Sequence, residues 1–183
     1  MSTVGYASGA FDLFHVGHLN LLKRAKERCD VLIAGVVSDE LLRSLKGVDP
    51  VVPLAERLEI VRNIRCVDEA HPAVLADKLA IWRELQFDVF FKGDDWKGTE
   101  KGLRLERAFA QVGVEVVYFP YTVSTSSTAL RRALSSINVL ADIRQRRLAL
   151  DGHPVPSVTE PAFTDRFAEP PQATGGRSST THH

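Results

Sequence analysis

Residues 31–37, VLIAGVV, run without a polar side chain and are rich in β-branched residues. A strand with one wet face alternates apolar and polar positions. An unbroken apolar run suits a parallel strand covered by helices on both faces. The run is too short to span a bilayer, which takes about 20 apolar residues. The stretches VGYAS (4–8), FDVFFK (87–92) and VEVVYFP (114–120) also read as strands, and VDEA (67–70) as a brief one.

Helical spacing fills the intervals. Leu19, Leu22 and Ala25 place a helix over about 17–28. SDELLRSL follows with Ser38 as its cap, and then come LAERLEIVRNI, VLADKLAIWREL and KGLRLERAFAQV. A last helix starts at ALRRALSS and continues to about residue 150. KGVDPVVP (46–53), punctuated by Gly and Pro, reads as a loop. Strand and helix alternate without an internal repeat. This predicts an α/β domain over 1–150 with about five parallel strands and helices on both faces. From Asp151 the chain turns rich in Pro, Ser, Thr and Gly, and residues 151–183 are expected to be a disordered tail.

The 183 residues suit one domain with a sizeable core. Lys plus Arg number 23 and Asp plus Glu 23, a formal net charge of +0. That balance argues against a nucleic-acid or anionic-membrane partner. Cys29 and Cys66 are isolated, and the first residues lack the basic and apolar regions of a secretion signal. The expected setting is reducing and cytoplasmic.

In open α/β sheets, ligands bind beyond the carboxyl ends of the strands. Three polar loops fall at such ends: SGAFDLFHVGH after the first strand, KGDDWKG after the fourth and YTVSTSST after the fifth. The first and third lead into helices, whose free N–H groups and dipole favour an anion. Gly9 allows close backbone approach or a positive φ. His15 and His18, around Gly17, are near enough in sequence to reach one phosphate. A metal site would need a third ligand, and no nearby His or Cys supplies one.

GAFDLFHVGH (9–18) resembles the GxFDxxHxGH signature of the HxGH nucleotidyltransferases. RCVDEA, FKGDDWKG, VEVVYFP and TSSTALR follow in the order and spacing of the cytidylyltransferase branch, above all the glycerol-3-phosphate cytidylyltransferases. The likeness covers about residues 3–135 and implies a Rossmann-like nucleotidyltransferase fold. It implies CMP transfer from CTP to a small phosphorylated alcohol, glycerol 3-phosphate first, with release of pyrophosphate. It implies Mg²⁺ or another divalent cation carried on the triphosphate, with no dedicated protein cage, and a homodimer. A phosphomonoester is largely dianionic near neutral pH, so this chemistry asks for cations and donors rather than a general base.

The resemblance implies roles for particular residues. His15 and His18 are expected to stabilise the α-phosphate, with Lys46 also among the catalytic residues. Gly9, Ala10, Phe11, Gly17, Arg65, Asp95, Tyr121 and Thr122 are expected at the nucleotide. Ser126, Ser127 and Thr128 are expected to cradle the outer phosphates. Asp12 is expected to orient the loop or stand near Mg²⁺, and Lys46, Lys78 and Trp96 to hold the acceptor. Arg57 matches a family arginine, with a structural helix role equally open.

Tyr121 and Ser124 depart from the family pattern, which has arginine and glycine there. Arg131 or Arg132 is the expected source of the missing charge. Other readings remain: a small phosphonate, phosphocholine or phosphoethanolamine as acceptor; an ATP-dependent adenylyltransferase on the same fold; a non-catalytic nucleotide sensor.

Overall fold

The computed structural model describes residues 2–120, 122 and 125–150. The segment 151–183, expected as a tail, lies outside them, as do Tyr121 and Ser124. The elements are β1 (Val4–Gly9), α1 (Val16–Lys26), β2 (Val31–Val37), α2 (Asp39–Lys46), α3 (Leu54–Arg62), β3 (Glu69–Ala73), α4 (Lys78–Leu85), β4 (Val89–Gly93), α5 (Glu100–Ala110), β5 (Glu115–Phe119) and α6 (Ser127–Leu150). The chain divides into units Met1–Leu140 and Ala141–His183, and the sheet lies in the first.

The five strands are all parallel, in the order β3-β2-β1-β4-β5. Side-chain alternation sends their residues into two cores. Tyr6, Ile33, Val37 and Phe90 face the side of α2, α4 and α5, where Leu41, Ile81 and Phe109 meet them. Ala7, Leu32, Ala34, Val36 and Phe91 face α1 and α3, against Leu22, Ala25 and Val61. The predicted α/β sheet with helices on both faces is therefore observed. Gly35 makes room for Tyr6, since a Cβ there would lie 2.0 Å from the tyrosine hydroxyl oxygen.

Most element ends follow local chemistry. Ser38 caps α2 as expected, its Oγ accepting from Leu41 N at 3.2 Å. The predicted helix over 74–85 starts only at Lys78. The Asp77 carboxylate accepts from Leu79 N at 2.9 Å and so caps α4 there. GDDW, read as a turn, forms a short 3-10 turn at Asp94–Trp96. Both cysteines are free. Among the described residues, no helix is long and apolar enough to cross a membrane.

The order reverses at β1. From there the chain builds outward through β2 to β3, then returns to lay β4 on the other side of β1. Loops leaving β1 and β4 therefore diverge from adjacent strands, opening a crevice at their carboxyl ends.

Candidate active site

The crevice is a cleft of about 320 Å³. Gly9, Ala10, Phe11, His15, Gly17 and His18 enter it from the loop after β1 and the first turn of α1. Asp95 and Trp96 come from the loop after β4, Lys46 from the end of α2, and Thr122, Ser126, Ser127 and Thr128 from the start of α6 and the loop before it. The three loops singled out in the sequence thus converge.

His15 caps α1. Its Nδ1 accepts from Gly17 N at 3.0 Å, so that nitrogen carries no proton. The neutral ring must hold its proton on Nε2, which is left as a donor. Gly17 is what lets the ring fold over the helix end: a Cβ there would lie 2.7 Å from His15 Cε1. The His15 and His18 rings stack with centroids 4.0 Å apart, and Phe11 and Phe14 pack around His18 at 5.4 and 5.5 Å. Burial lowers the His15 pKa. Burial, with His15 alongside, pushes His18 down to about 4. Both rings are therefore neutral donors near pH 7. His18 Nδ1 is buried and has no partner among the described residues.

Gly9 was expected to allow close backbone approach or a positive φ. It lines the cleft, and the positive φ in this loop falls instead on Phe11 at 51° and Leu13 at 50°. Non-glycine residues held there store roughly 1–3 kcal/mol each. What holds them is Asp12, which lies between them and is fully buried. Its carboxylate accepts from Val51 N at 3.1 Å, from Val52 N at 2.9 Å and from Arg131 Nη2 at 2.6 Å. Its carbonyl accepts from Ser127 Oγ at 2.9 Å. Of the two roles expected for Asp12, this is loop orientation. The carboxylate is taken up by protein donors and does not fit a metal ligand. Burial works to raise its pKa, but the two backbone N–H groups and the guanidinium outweigh burial and hold it below the usual carboxylate range.

These shifts set an acid limit on stability. His18 binds a proton more readily unfolded than folded, so its contribution is complete above about pH 6.5 and is lost as pH falls toward 4. Asp12 adds a further loss as pH falls through its lowered folded value. Urea titrations should show stability falling by at most about 3 kcal/mol between pH 6.5 and 4 from His18 alone. His18→Asn should flatten that window.

Arg57 resolves as a structural residue. It is fully buried, pairs with Asp39 at 2.5 Å, and donates to the carbonyls of Val52 and Val37 at 2.8 Å each and to that of Ala10. It thereby ties α3 to the end of β2 and to the first site loop. Arg131 reaches the cleft while Arg132 is exposed on α6. Arg131 Nε is buried without a partner among the described residues. The sequence foresaw a nearby arginine but not its pairing with Asp12.

Arg65 does not join the site. It is exposed in the turn before β3, beside Asp68, whose carboxylate accepts from Leu32 N at the start of β2. A segment entering a parallel strand lies at the amino edge, opposite the cleft. Lys78 opens α4 on the carboxyl edge, outside the cleft lining. Lys92, overlooked in the sequence, does line the cleft, with its Nζ 4.7 Å from the Trp96 ring centroid. Its only signal was its position at the end of a strand.

Residues 6–133 match the family described as cytidylyltransferase-like. The chain belongs to the cytidylyltransferase-like family.

Its relatives are varied. Bifunctional protein HldE of Streptomyces coelicolor is 39% identical over 132 residues, covering 70% of this chain and 27% of HldE. FAD synthase of Pyrococcus abyssi is 36% identical over 116 residues, covering 62% of this chain and 77% of the synthase. Ethanolamine-phosphate cytidylyltransferase of Arabidopsis thaliana is 41% identical over 95 residues, covering 49% of this chain and 22% of that protein. The chain thus spans about a quarter of HldE and about three quarters of the FAD synthase. Among solved structures, the lipopolysaccharide core biosynthesis protein of Thermoplasma volcanium superposes with a TM-score of 0.58 at 26% identity, over 67% of this chain and 98% of its own. The HxGH stretch that carried the resemblance lies within the matched residues and builds the His15–Gly17–His18 corner.

Proposed function

We propose that this cytidylyltransferase-like chain transfers a nucleotidyl group from a nucleoside triphosphate to the phosphate of a small acceptor. CTP is the donor, a small phosphorylated alcohol such as glycerol 3-phosphate the acceptor, and pyrophosphate the leaving group. The observation that carries this reading is the meeting of two helix N-termini, α1 and α6, in one cleft with two neutral histidines.

An acceptor phosphate oxygen forms a bond to the α-phosphorus, and the bond from that phosphorus to the β-phosphate bridging oxygen breaks. With the acceptor a dianion, no proton has to be removed. The protein must bring two anions together and meet the charge that builds on the α-phosphate. In this reading His15 Nε2–H and His18 serve the α-phosphate. Ser126 to Thr128, with the free N–H groups of α6, suit the outer phosphates. A divalent cation belongs to the substrate here, carried on the triphosphate. Exposed Leu134, Ile137 and Leu140 on α6 offer an apolar surface for a homodimer.

An adenylyl reading has its own support in the FAD synthase relatives. Pyrophosphate release should be measured with Mg²⁺, CTP or ATP, and a panel of phosphate and phosphonate acceptors. Release with CTP and one acceptor, absent in His18→Ala, is expected. Release with ATP alone would move the chain to the adenylyl reading. No release, with nucleotide binding retained, would make it a sensor.

Arg131→Ala should raise the KM for the nucleotide about tenfold, the size of one lost charge-assisted hydrogen bond. An unchanged KM would remove Arg131 from the nucleotide site.

A further inference from the structure

The two faces of the sheet deliver different chemistry to the cleft. His15 and His18 come from α1, on one face. Phe90 and Phe91 point into opposite cores, so the alternation of β4 sends Lys92 to the other face, with α2, α4 and α5. Lys46 ends α2 and Lys78 opens α4 on that same side. Lys46, Lys78 and Lys92 make no hydrogen bond or ion pair among the described residues, whereas Lys26 pairs with Asp68 at 2.6 Å. The nearby carboxylates are Asp95, which lines the cleft, and Asp77, which caps α4 beside Lys78; the wall is Trp96. Three ammonium groups against two carboxylates, Asp95 near Lys92 and Asp77 near Lys78, leave one net positive charge, and ammonium donors with no ion-pair partner among the described residues suit a phosphomonoester anion.

We propose that Lys92 is an acceptor-binding residue. With Lys46 in the cleft and Lys78 outside its lining on the same side of the sheet, it forms a cationic subsite that selects the phosphomonoester of a neutral polyol or sugar and rejects acceptors bearing an ammonium group. The inference rests on the nucleotidyl-transfer reading. An ammonium-bearing acceptor would place its own cation among these lysines, with the Trp96 ring, Asp95 and Asp77 as the groups among the described residues that could receive it. A neutral polyol adds no such repulsion and leaves the lysines to the phosphate.

The electrostatics agree. Burial pushes the Lys92 pKa down to about 8; Asp95 works against this, and Lys46 and Lys78 reinforce it. Burial likewise lowers Lys78, against Asp77. A dianion entering the subsite would work against burial and favour the protonated form of both groups.

The test compares wild type with Lys92→Met, Lys92→Arg and, as a control on the exposed face of α5, Lys101→Met. Pyrophosphate release is followed with glycerol 3-phosphate, phosphoethanolamine and phosphocholine. In wild type, kcat/KM for glycerol 3-phosphate should exceed that for either ammonium-bearing acceptor at least about tenfold, the effect of one charged contact. Lys92→Met should raise the acceptor KM about tenfold or more, leave the nucleotide KM unchanged and narrow the preference. It should also melt at a higher temperature, because a partly buried cation with no hydrogen bond or ion pair among the described residues is removed. Above about pH 8 the wild-type acceptor KM should rise as Lys92 loses its proton. Lys92→Arg, always charged, should not show that rise.

A preference for phosphoethanolamine or phosphocholine would overturn the proposal, as would an unchanged acceptor KM in Lys92→Met. If no acceptor releases pyrophosphate, the nucleotidyl-transfer reading fails separately. Calorimetry with glycerol 3-phosphate then decides the subsite. Binding to wild type that weakens about tenfold in Lys92→Met but not in Lys101→Met supports it. No binding, or equal binding to wild type and Lys92→Met, overturns it.

Discussion

His18→Ala should lower kcat for nucleotidyl transfer by about 10²–10³-fold, the usual effect of removing one preorganised donor from a developing oxyanion. The ring is stacked on His15 and enclosed by Phe11 and Phe14, so its orientation is set before substrate arrives. It is neutral at pH 7 in the free protein, since burial and His15 push its pKa to about 4. A triphosphate would favour the protonated form and draw a proton onto the ring. Nucleotide binding by the wild type near pH 6 should therefore take up protons, and binding by His18→Ala should take up fewer. The kinetic loss should fall on kcat more than on the nucleotide KM, because the donor matters most as charge builds on the α-phosphate. A change of less than about threefold in kcat would remove His18 from the reacting centre.

Arg57→Met should destabilise the fold by about 3–5 kcal/mol, the range for breaking a buried ion pair from one side. The substitution leaves the Asp39 carboxylate without its partner. It also leaves the carbonyls of Ala10, Val37 and Val52 without their donor. Methionine keeps much of the volume, so the loss reports charge and hydrogen bonding more than a cavity. Urea unfolding should show a lower midpoint with an unchanged slope. The nucleotide KM should rise as well, because Arg57 holds the Ala10 carbonyl in the first site loop. A destabilisation below about 1 kcal/mol would mean that the pair only offsets its own desolvation.

Arg57 and Asp12 belong to one framework. Arg57 draws the first site loop toward α3, while Asp12 draws it toward residues 51–52 and α6. Between these anchors Phe11 and Leu13 are kept in left-handed conformations that neither residue favours. That strain shapes the corner on which His15 and His18 stand.

The sequence by itself determined the parallel sheet, because VLIAGVV and FDVFFK carry apolar periodicities that hold wherever the chain is placed. It determined the Ser38 cap and the gathering of the three loops, because parallel strands send all their exits to one edge. The HxGH corner was legible for the same reason: a capping histidine, a small residue and a second histidine act within one helical turn. Long-range charge was not legible. Asp12 and Arg131 are 119 residues apart and Arg57 and Asp39 are 18 apart, and no local pattern marks either pair. Arg65 matched a motif, yet its turn enters β3 at the amino edge. Lys92 looked like an ordinary strand end until neighbouring elements removed much of its water and set it against the Trp96 ring, with no ion pair among the described residues. Periodicity and capping are set by residues close in sequence. Desolvation and ion pairing are set by whatever the completed fold brings alongside, and only the tertiary structure decided them.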